Sequence, residues 1–229
     1  MPFLPGHASV NPKLHRVKLG YWFVRGVGQI PRLLLAYHGV DFDNVAYSDR
    51  DKWFNDDKKN IGFSFPNLPY LIDGDYKLTE STAIQRYIIN RFGKGELLGK
   101  TAQDNARVES FLSIFTEISS AIKGLFWNKD WENAKGAVLE KYQGKLADLE
   151  KFVGGKEWAL GYLTLIDFVV AEDSHYIQRI FPEQYKTWTF LHSIRERFNA
   201  LPAISGYYKQ ENSVKGPFFP PYAAVSVEQ

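Results

Sequence analysis

The sequence predicts two halves, a mixed α/β unit followed by an all-helical one, and three observations carry that prediction. Up to about residue 78, short β-type runs alternate with one helical face and a hairpin turn signal. Beyond Thr101 the strand signals stop, and apolar residues recur at helical spacing. Between the halves, Gly93-Lys94-Gly95 opens a hydrophilic linker that runs to Thr101.

Residues 1–18, punctuated by Pro2, Pro5 and Pro12, read as a polar extension. Residues 19–24 (Leu-Gly-Tyr-Trp-Phe-Val) form a strand pattern. Gly26 and Gly28 loosen the chain, and Pro31 suits the first turn of a helix, where its missing N–H is harmless. Ile30, Leu33, Leu34 and Tyr37 then share one helical face, with Gly39 as its stop. Residues 40–47 read as a second strand, and 49–60 as a charged connection carrying Trp53. Pro69 cannot donate to a central ladder, so it marks the start of a strand or an edge. Asp73-Gly74 is a hairpin signal joining 70–72 to 76–78. Thr79 or Ser81 is placed to cap a helix that turns Ile84, Tyr87 and Ile88 inward. This order (β-α-β, a crossover, then β-β-α, with a proline entering the third strand) is the layout of a thioredoxin-like half-domain.

In the helical half, Val108, Phe111, Leu112, Phe115, Ile118 and Ile122 make one stripe, and Leu139, Tyr142, Leu146, Leu149 and Val153 another. Thr164-Leu165-Ile166-Asp167 is a capping box in aspartate form, flanked by Leu163 and Phe168 as a hydrophobic staple. Leu191, Ile194 and Phe198 give a further helical face. Residues 215–222, rich in proline and aromatics, read as a packed extended tail.

Composition narrows the function. The 229 residues carry 28 Lys plus Arg against 26 Asp plus Glu, and a net charge of +2 offers no electrostatic footprint for nucleic acid. There is no cysteine, which excludes disulfides, thiolate metal sites and a cysteine nucleophile. Sulfur chemistry here therefore needs a thiol brought by a ligand. No apolar run is long enough to span a bilayer, and residues 1–18 lack the apolar core of a signal peptide. His7, His15, His38, His175 and His192 never pair at metal-ligand spacing, so no metal site is expected. No Gly-x-Ser-x-Gly elbow is present, and the loop-like run from Gly95 to Thr101 is one residue short of a phosphate loop. Spacing alone gives an architecture and no reaction.

Two stretches supply one. Leu19-Gly20-Tyr21-Trp22 with Arg25-Gly26, and the run from Phe65 to Gly74 with Glu80-Ser81, resemble glutathione S-transferases, the mu class in particular. The resemblance continues through Arg107-Val108, then Gly161, Thr164 and Asp167, then Arg179-Ile180-Phe181. It implies residues 19–100 as a thioredoxin-like glutathione-binding domain with linker, and 101–229 as a helical domain with tail. It also implies a cytoplasmic homodimer that conjugates glutathione to hydrophobic electrophiles in detoxification. Glutathione is then a co-substrate, with no permanently bound cofactor, nucleic-acid partner or membrane span. Tyr21 is implied as the hydroxyl that hydrogen-bonds the thiolate, the role of a charge-assisted donor. Leu68 before a cis Pro69 would pair with the cysteinyl backbone, with Asn67 beside it. Glu80 and Ser81 would hold the γ-glutamyl group, Ser81 at a helix N-terminus. Trp22, Trp53, Arg50 and one of the adjacent lysines, Lys58 or Lys59, fall near the glycyl carboxylate, and Val27 completes the glutathione contacts.

Phe65 matches the aromatic key that enters the neighbouring subunit, and Glu117 the carboxylate offered across the dimer. Val27, Ser119 and Trp127, with residues 218–222 of the tail as a further candidate wall, outline an open electrophile pocket. Two departures stand out: the loop between Tyr47 and Trp53 is shorter than in mu enzymes, and Trp127 replaces a tyrosine that assists addition reactions. They leave two other readings: a non-catalytic ligand-binding or structural dimer, and a sigma-like prostaglandin isomerase.

Overall fold

The structure, a computed structural model, describes residues 16–225. Most of the expected extension (1–15) and the last residues (226–229) lie outside the described residues. The first half contains β1 (Val17–Trp22), α1 (Gln29–Tyr37), β2 (Phe42–Tyr47), α2 (Lys58–Asn60), β3 (Tyr70–Asp73), β4 (Tyr76–Thr79) and α3 (Ser81–Gly93). The sheet order is β2-β1-β3-β4; β1 and β2 run parallel, and the other pairs antiparallel. The parallel pair is the one joined by a helix, as a parallel connection requires.

The first strand starts at Val17, two residues before the sequence pattern suggested. Val17 and Leu19 are both buried, and Arg16 pairs with Asp41 and Asp43 at the neighbouring strand's start. Pro69 stands outside the ladder, one residue before β3, so a strand paired on both sides never needs its missing donor. The expected connection at 49–60 is instead helical: Lys52–Asp57 winds as a wide π-type turn that runs into α2. Side-chain bonds four residues apart brace it, from Lys52 to Asp56, Asn55 to Asp51 and Asn60 to Asp56. Neither Thr79 nor Ser81 caps α3; the Thr79 hydroxyl donates to the Phe65 carbonyl (2.7 Å), and Glu80 holds the cap position. The linker is less hydrophilic than it reads, because Leu97 and Leu98 fold into a 3₁₀ turn and enter the core.

The second half contains α4 (Ala102–Leu125), α5 (Trp131–Val153), α6 (Leu165–Ile180), α7 (Pro182–Tyr185), α8 (Thr189–Ala200) and α9 (Pro202–Lys209). Its centre is α6, buried along nearly its whole length against α4, α8 and α1. The capping box forms as the sequence predicts: Asp167 accepts from the backbone N–H groups of Thr164 (2.7 Å) and Ala159 (2.9 Å). Burial pushes its carboxyl up to about 6 in spite of those donors. One apolar core runs from Val17 through α1 and α6 to Phe218, joining both halves. A second, aromatic cluster of Tyr47, Trp53, Phe63, Leu68 and Tyr70 sits on the other side of the sheet's central strands. Among the described residues no helix is long and apolar enough to cross a membrane.

His175, on α6, stacks against Phe218 at 4.8 Å. Burial, reinforced by the cations of Arg25 and Arg195, holds its imidazole down to about 3. The unfolded chain therefore binds a proton that the folded chain refuses. The resulting stability is complete above the unfolded value near pH 6.5 and is lost as pH falls towards about 3. Replacing it (His175→Gln) is expected to shrink the fall in melting temperature between pH about 7 and about 4. An equally steep acid limb in thermal scans of the variant would refute this.

Candidate active site

Tyr21 lies at the end of β1, where the chain leaves the sheet through Gly26, whose φ is +41°. A Cβ on Gly26 would stand 2.7 Å from the Tyr21 hydroxyl, and one on Gly28 2.4 Å from its ring. Only bare backbone can clasp the phenol so closely. The Val27 N–H donates to that hydroxyl, and the guanidinium of Arg32 lies 5.7 Å from the ring centre. Burial pushes the phenol above its ordinary value, so it stays protonated and is available as a donor to an anion.

Arg32 is fully buried and donates to the carbonyls of Trp22 (3.2 Å) and Val24 (2.9 Å) and to Asn44 Oδ1 (3.0 Å). It thus fixes the backbone on both sides of the turn after Tyr21. Arg25 reaches the other way, across to α6, where Nε and Nη2 donate to the two carboxylate oxygens of Glu172 at 3.0 and 2.5 Å. Its guanidinium also lies 4.5 Å from the centre of the Phe218 ring and bonds the Tyr208 hydroxyl and the Lys215 carbonyl. The C-terminal tail completes the turn: the Arg25 N–H donates to Pro217 O (2.8 Å) and the Gly26 N–H to Phe218 O (3.2 Å).

Beside this turn stands the Leu68–Pro69 bond, which is cis. Asn67 holds it, accepting from the Leu68 N–H (2.9 Å) and donating to Glu80 Oε1 (3.0 Å). Glu80 has φ +72° and ψ 113°, a strained conformation for a residue with a side chain. It delivers Ser81 to the first position of α3, beside amides that have no partner within the helix. Trp22, Arg50 and Lys58 gather around Phe54, with separations of 5.9, 5.1 and 5.5 Å respectively. Trp53 is only 2% exposed, stacked on Tyr70 at 6.1 Å and edge-on to Tyr47 at 5.6 Å, the ring that Trp22 also meets. Glu117 lies on α4, its carboxylate paired with Lys145 at 2.6 Å and held below its usual range by that bond.

Two cavities flank the turn. Val27, Ser81 and Ser119 line one of 160 Å³ between α3 and α4. Trp22, Arg50, Pro217 and Tyr222 line another of 420 Å³ beneath the tail. Of the residues read as an electrophile pocket, Val27 and Ser119 share the first cavity. Trp127 lies beyond the end of α4 and packs on Phe219 (5.4 Å) and Tyr222 (6.0 Å), away from Val27 and Ser119.

The family described as glutathione S-transferase, N-terminal domain, matches residues 17–90. Glutathione S-transferase 2 of Gallus gallus is 38% identical over 212 residues, covering 89% of this chain and 94% of the relative. The chain belongs to the glutathione S-transferase family. Glutathione S-transferase Mu 1 of Bos taurus is 36% identical over 88% of this chain and 94% of its own length. Among solved structures, the glutathione S-transferase Blo t 8 superposes with a TM-score of 0.78 at 26% identity, over 92% of this chain and all of that one.

In this transferase, sequence reasoning missed Arg32 and Glu172. A signal for Arg32 existed, since it is an arginine inside the apolar run Ile30 to Leu35. Glu172 gave none: its partner Arg25 is 147 positions away, and nothing local marks the pair.

Proposed function

We propose that this transferase binds glutathione along Leu68, Glu80 and Ser81 and ionises its thiol against Tyr21, then lets the thiolate attack a hydrophobic electrophile. The thiol of free glutathione titrates at about 8.5–9, so useful thiolate at neutral pH takes a lowering of about 1.5–2 units. One hydroxyl donor in a partly desolvated cleft is of that order. The observation that carries the reading is the clasped Tyr21 phenol, kept protonated by burial and steadied by the Val27 amide. Ultraviolet titration of the glutathione complex tests it: the thiolate band is expected to appear with a midpoint below about pH 7. A midpoint equal to that of free glutathione would refute it.

The reading extends to a cytoplasmic homodimer working in detoxification. Phe65 supports the dimer: it stands 76% exposed on a loop anchored by Thr79, at the position the family likeness gives to an aromatic key. A groove of 400 Å³ between α4 and α5 has room for such a ring, with Phe111, Ile114, Leu149 and Phe152 as its apolar walls. Replacing the ring with a charge (Phe65→Asp) is expected to yield monomers in sedimentation velocity at concentrations where the parent is dimeric. A dimer that persists would remove Phe65 from the interface. Arg50, Lys58 and Trp22 would then receive the glycyl carboxylate, and Glu117 the γ-glutamyl ammonium of the partner's glutathione.

A further inference from the structure

The tail carries a tyrosine with no part in the chemistry described so far. Tyr222 stands 67% exposed on a turn that the Ala223 N–H closes onto Pro220 O (3.0 Å). The Ala224 N–H, bonded to Phe126 O (2.7 Å), pins this turn to the end of α4, and the ring packs on Trp127 at 6.0 Å. Backbone thus holds the hydroxyl where it is, and a cation faces it: Arg50 Nη1 donates to it at 3.5 Å. At that length a neutral phenol gains little. Among the described residues no carboxylate pairs with Arg50. Its sequence neighbours Asp49 and Asp51 accept instead from the Asp51 N–H and from Asn55. The guanidinium rests 5.1 Å from the centre of the Phe54 ring, and the Lys58 ammonium lies 5.5 Å from the same ring. An accessible hydroxyl set just too far from an unpaired arginine, with a second cation nearby, leaves room for an anion built onto that hydroxyl.

Resting on the glutathione reading above, we propose that Tyr222 is a regulatory phosphorylation site, at which a phosphoryl group binds Arg50 and excludes the glycyl carboxylate of glutathione. In the transfer, catalysed by a tyrosine kinase, the phenol oxygen forms a bond to the terminal phosphorus of a nucleoside triphosphate. The bond from that phosphorus to the nucleoside diphosphate breaks, and the phenol proton is released. The phosphate oxygens lie two bonds beyond the hydroxyl oxygen, so they span the gap to Arg50 and can meet its guanidinium with two parallel bonds. They bring a charge of about −1.5 to −2, against one for the carboxylate they displace. Being tethered, they compete at an effective concentration of about millimolar or more. The sulfur is affected as well. Besides burial, negative charge at Tyr222 pushes the Tyr21 phenol up, so this position acts electrostatically on the thiolate's donor.

The test uses the full chain with phosphotyrosine installed at position 222 during translation. KM for glutathione is expected to rise about tenfold or more over the unmodified protein, and the thiolate band of bound glutathione to appear at higher pH. In an Arg50→Met background the same phosphate is expected to change KM by less than about twofold, since the cation it needs is gone. Phosphotyrosine at position 76, exposed on β4, is expected to leave KM as it was. Incubation with a soluble tyrosine kinase and ATP is expected to place phosphate on Tyr222, read by mass mapping. An unchanged KM with phosphate at 222, a rise that persists without Arg50, or no phosphate on Tyr222 after the kinase would each overturn the proposal. If the unmodified protein still shows its thiolate band, the glutathione reading stands and only the role of Tyr222 fails.

Discussion

Replacing Tyr21 with phenylalanine is expected to lower conjugation at neutral pH by about thirtyfold to a hundredfold, because about 1.5–2 units of thiol acidity correspond to about 2–3 kcal/mol. The loss has a direction in pH that a merely structural lesion lacks. Without the donor, the bound thiol returns towards about 8.5–9, so thiolate forms only at higher pH and the rising limb of kcat/KM moves up by the same 1.5–2 units or so. Activity should therefore recover in alkaline buffer. Gly26 and Gly28 enclose the ring and not merely its oxygen, so phenylalanine fills the same space and the fold should survive. Turnover equal to the parent's at all pH values would remove Tyr21 from the chemistry.

The second large effect concerns stability. Arg25 and Glu172 are both buried and joined by two hydrogen bonds across the seam between the halves. Glu172→Leu leaves the guanidinium in a dry site with only the Tyr208 hydroxyl and the Lys215 carbonyl for partners. Breaking a buried pair from one side costs about 3–5 kcal/mol, which for a chain of this size lowers the melting temperature by about 10 °C. The double replacement, Arg25→Met with Glu172→Leu, is expected to regain most of that loss, since two apolar side chains need no partners. Scanning calorimetry on the three proteins decides the matter. A single variant within about 1 kcal/mol of the parent would show that the pair does not hold the seam.

The parts of this molecule that were legible in its sequence are those whose causes are local. Thr164 and Asp167 lie three positions apart and bond each other's backbone, so the box could be read directly. Asp73-Gly74 turned the hairpin as its residues require. The Tyr21 turn was legible only through family likeness, because no spacing rule says that a phenol will be enclosed by Gly26 and Gly28. The readings that needed correction failed for long-range reasons. Thr79 is a good capping residue, but the Phe65 carbonyl competed for its hydroxyl and won. Leu97 and Leu98 sit among glycines and charges that suggest a solvated linker, yet the seam between the halves needed filling. Glu172 was invisible because its reason to exist is an arginine in the other half of the chain.

The bonds from Pro217 and Phe218 to the amides of Arg25 and Gly26 have an implication for biosynthesis. The turn that shapes the Tyr21 corner leaves the ribosome well before its acceptors, Pro217 and Phe218, which lie in the far half of the sequence. A nascent chain can assemble its sheet and bundle long before it owns a finished corner. A product cut short by a premature stop codon ahead of Pro217 would fold around most of its core yet keep two amides there unsatisfied. Competence is thus withheld until Pro217 and Phe218 have been added.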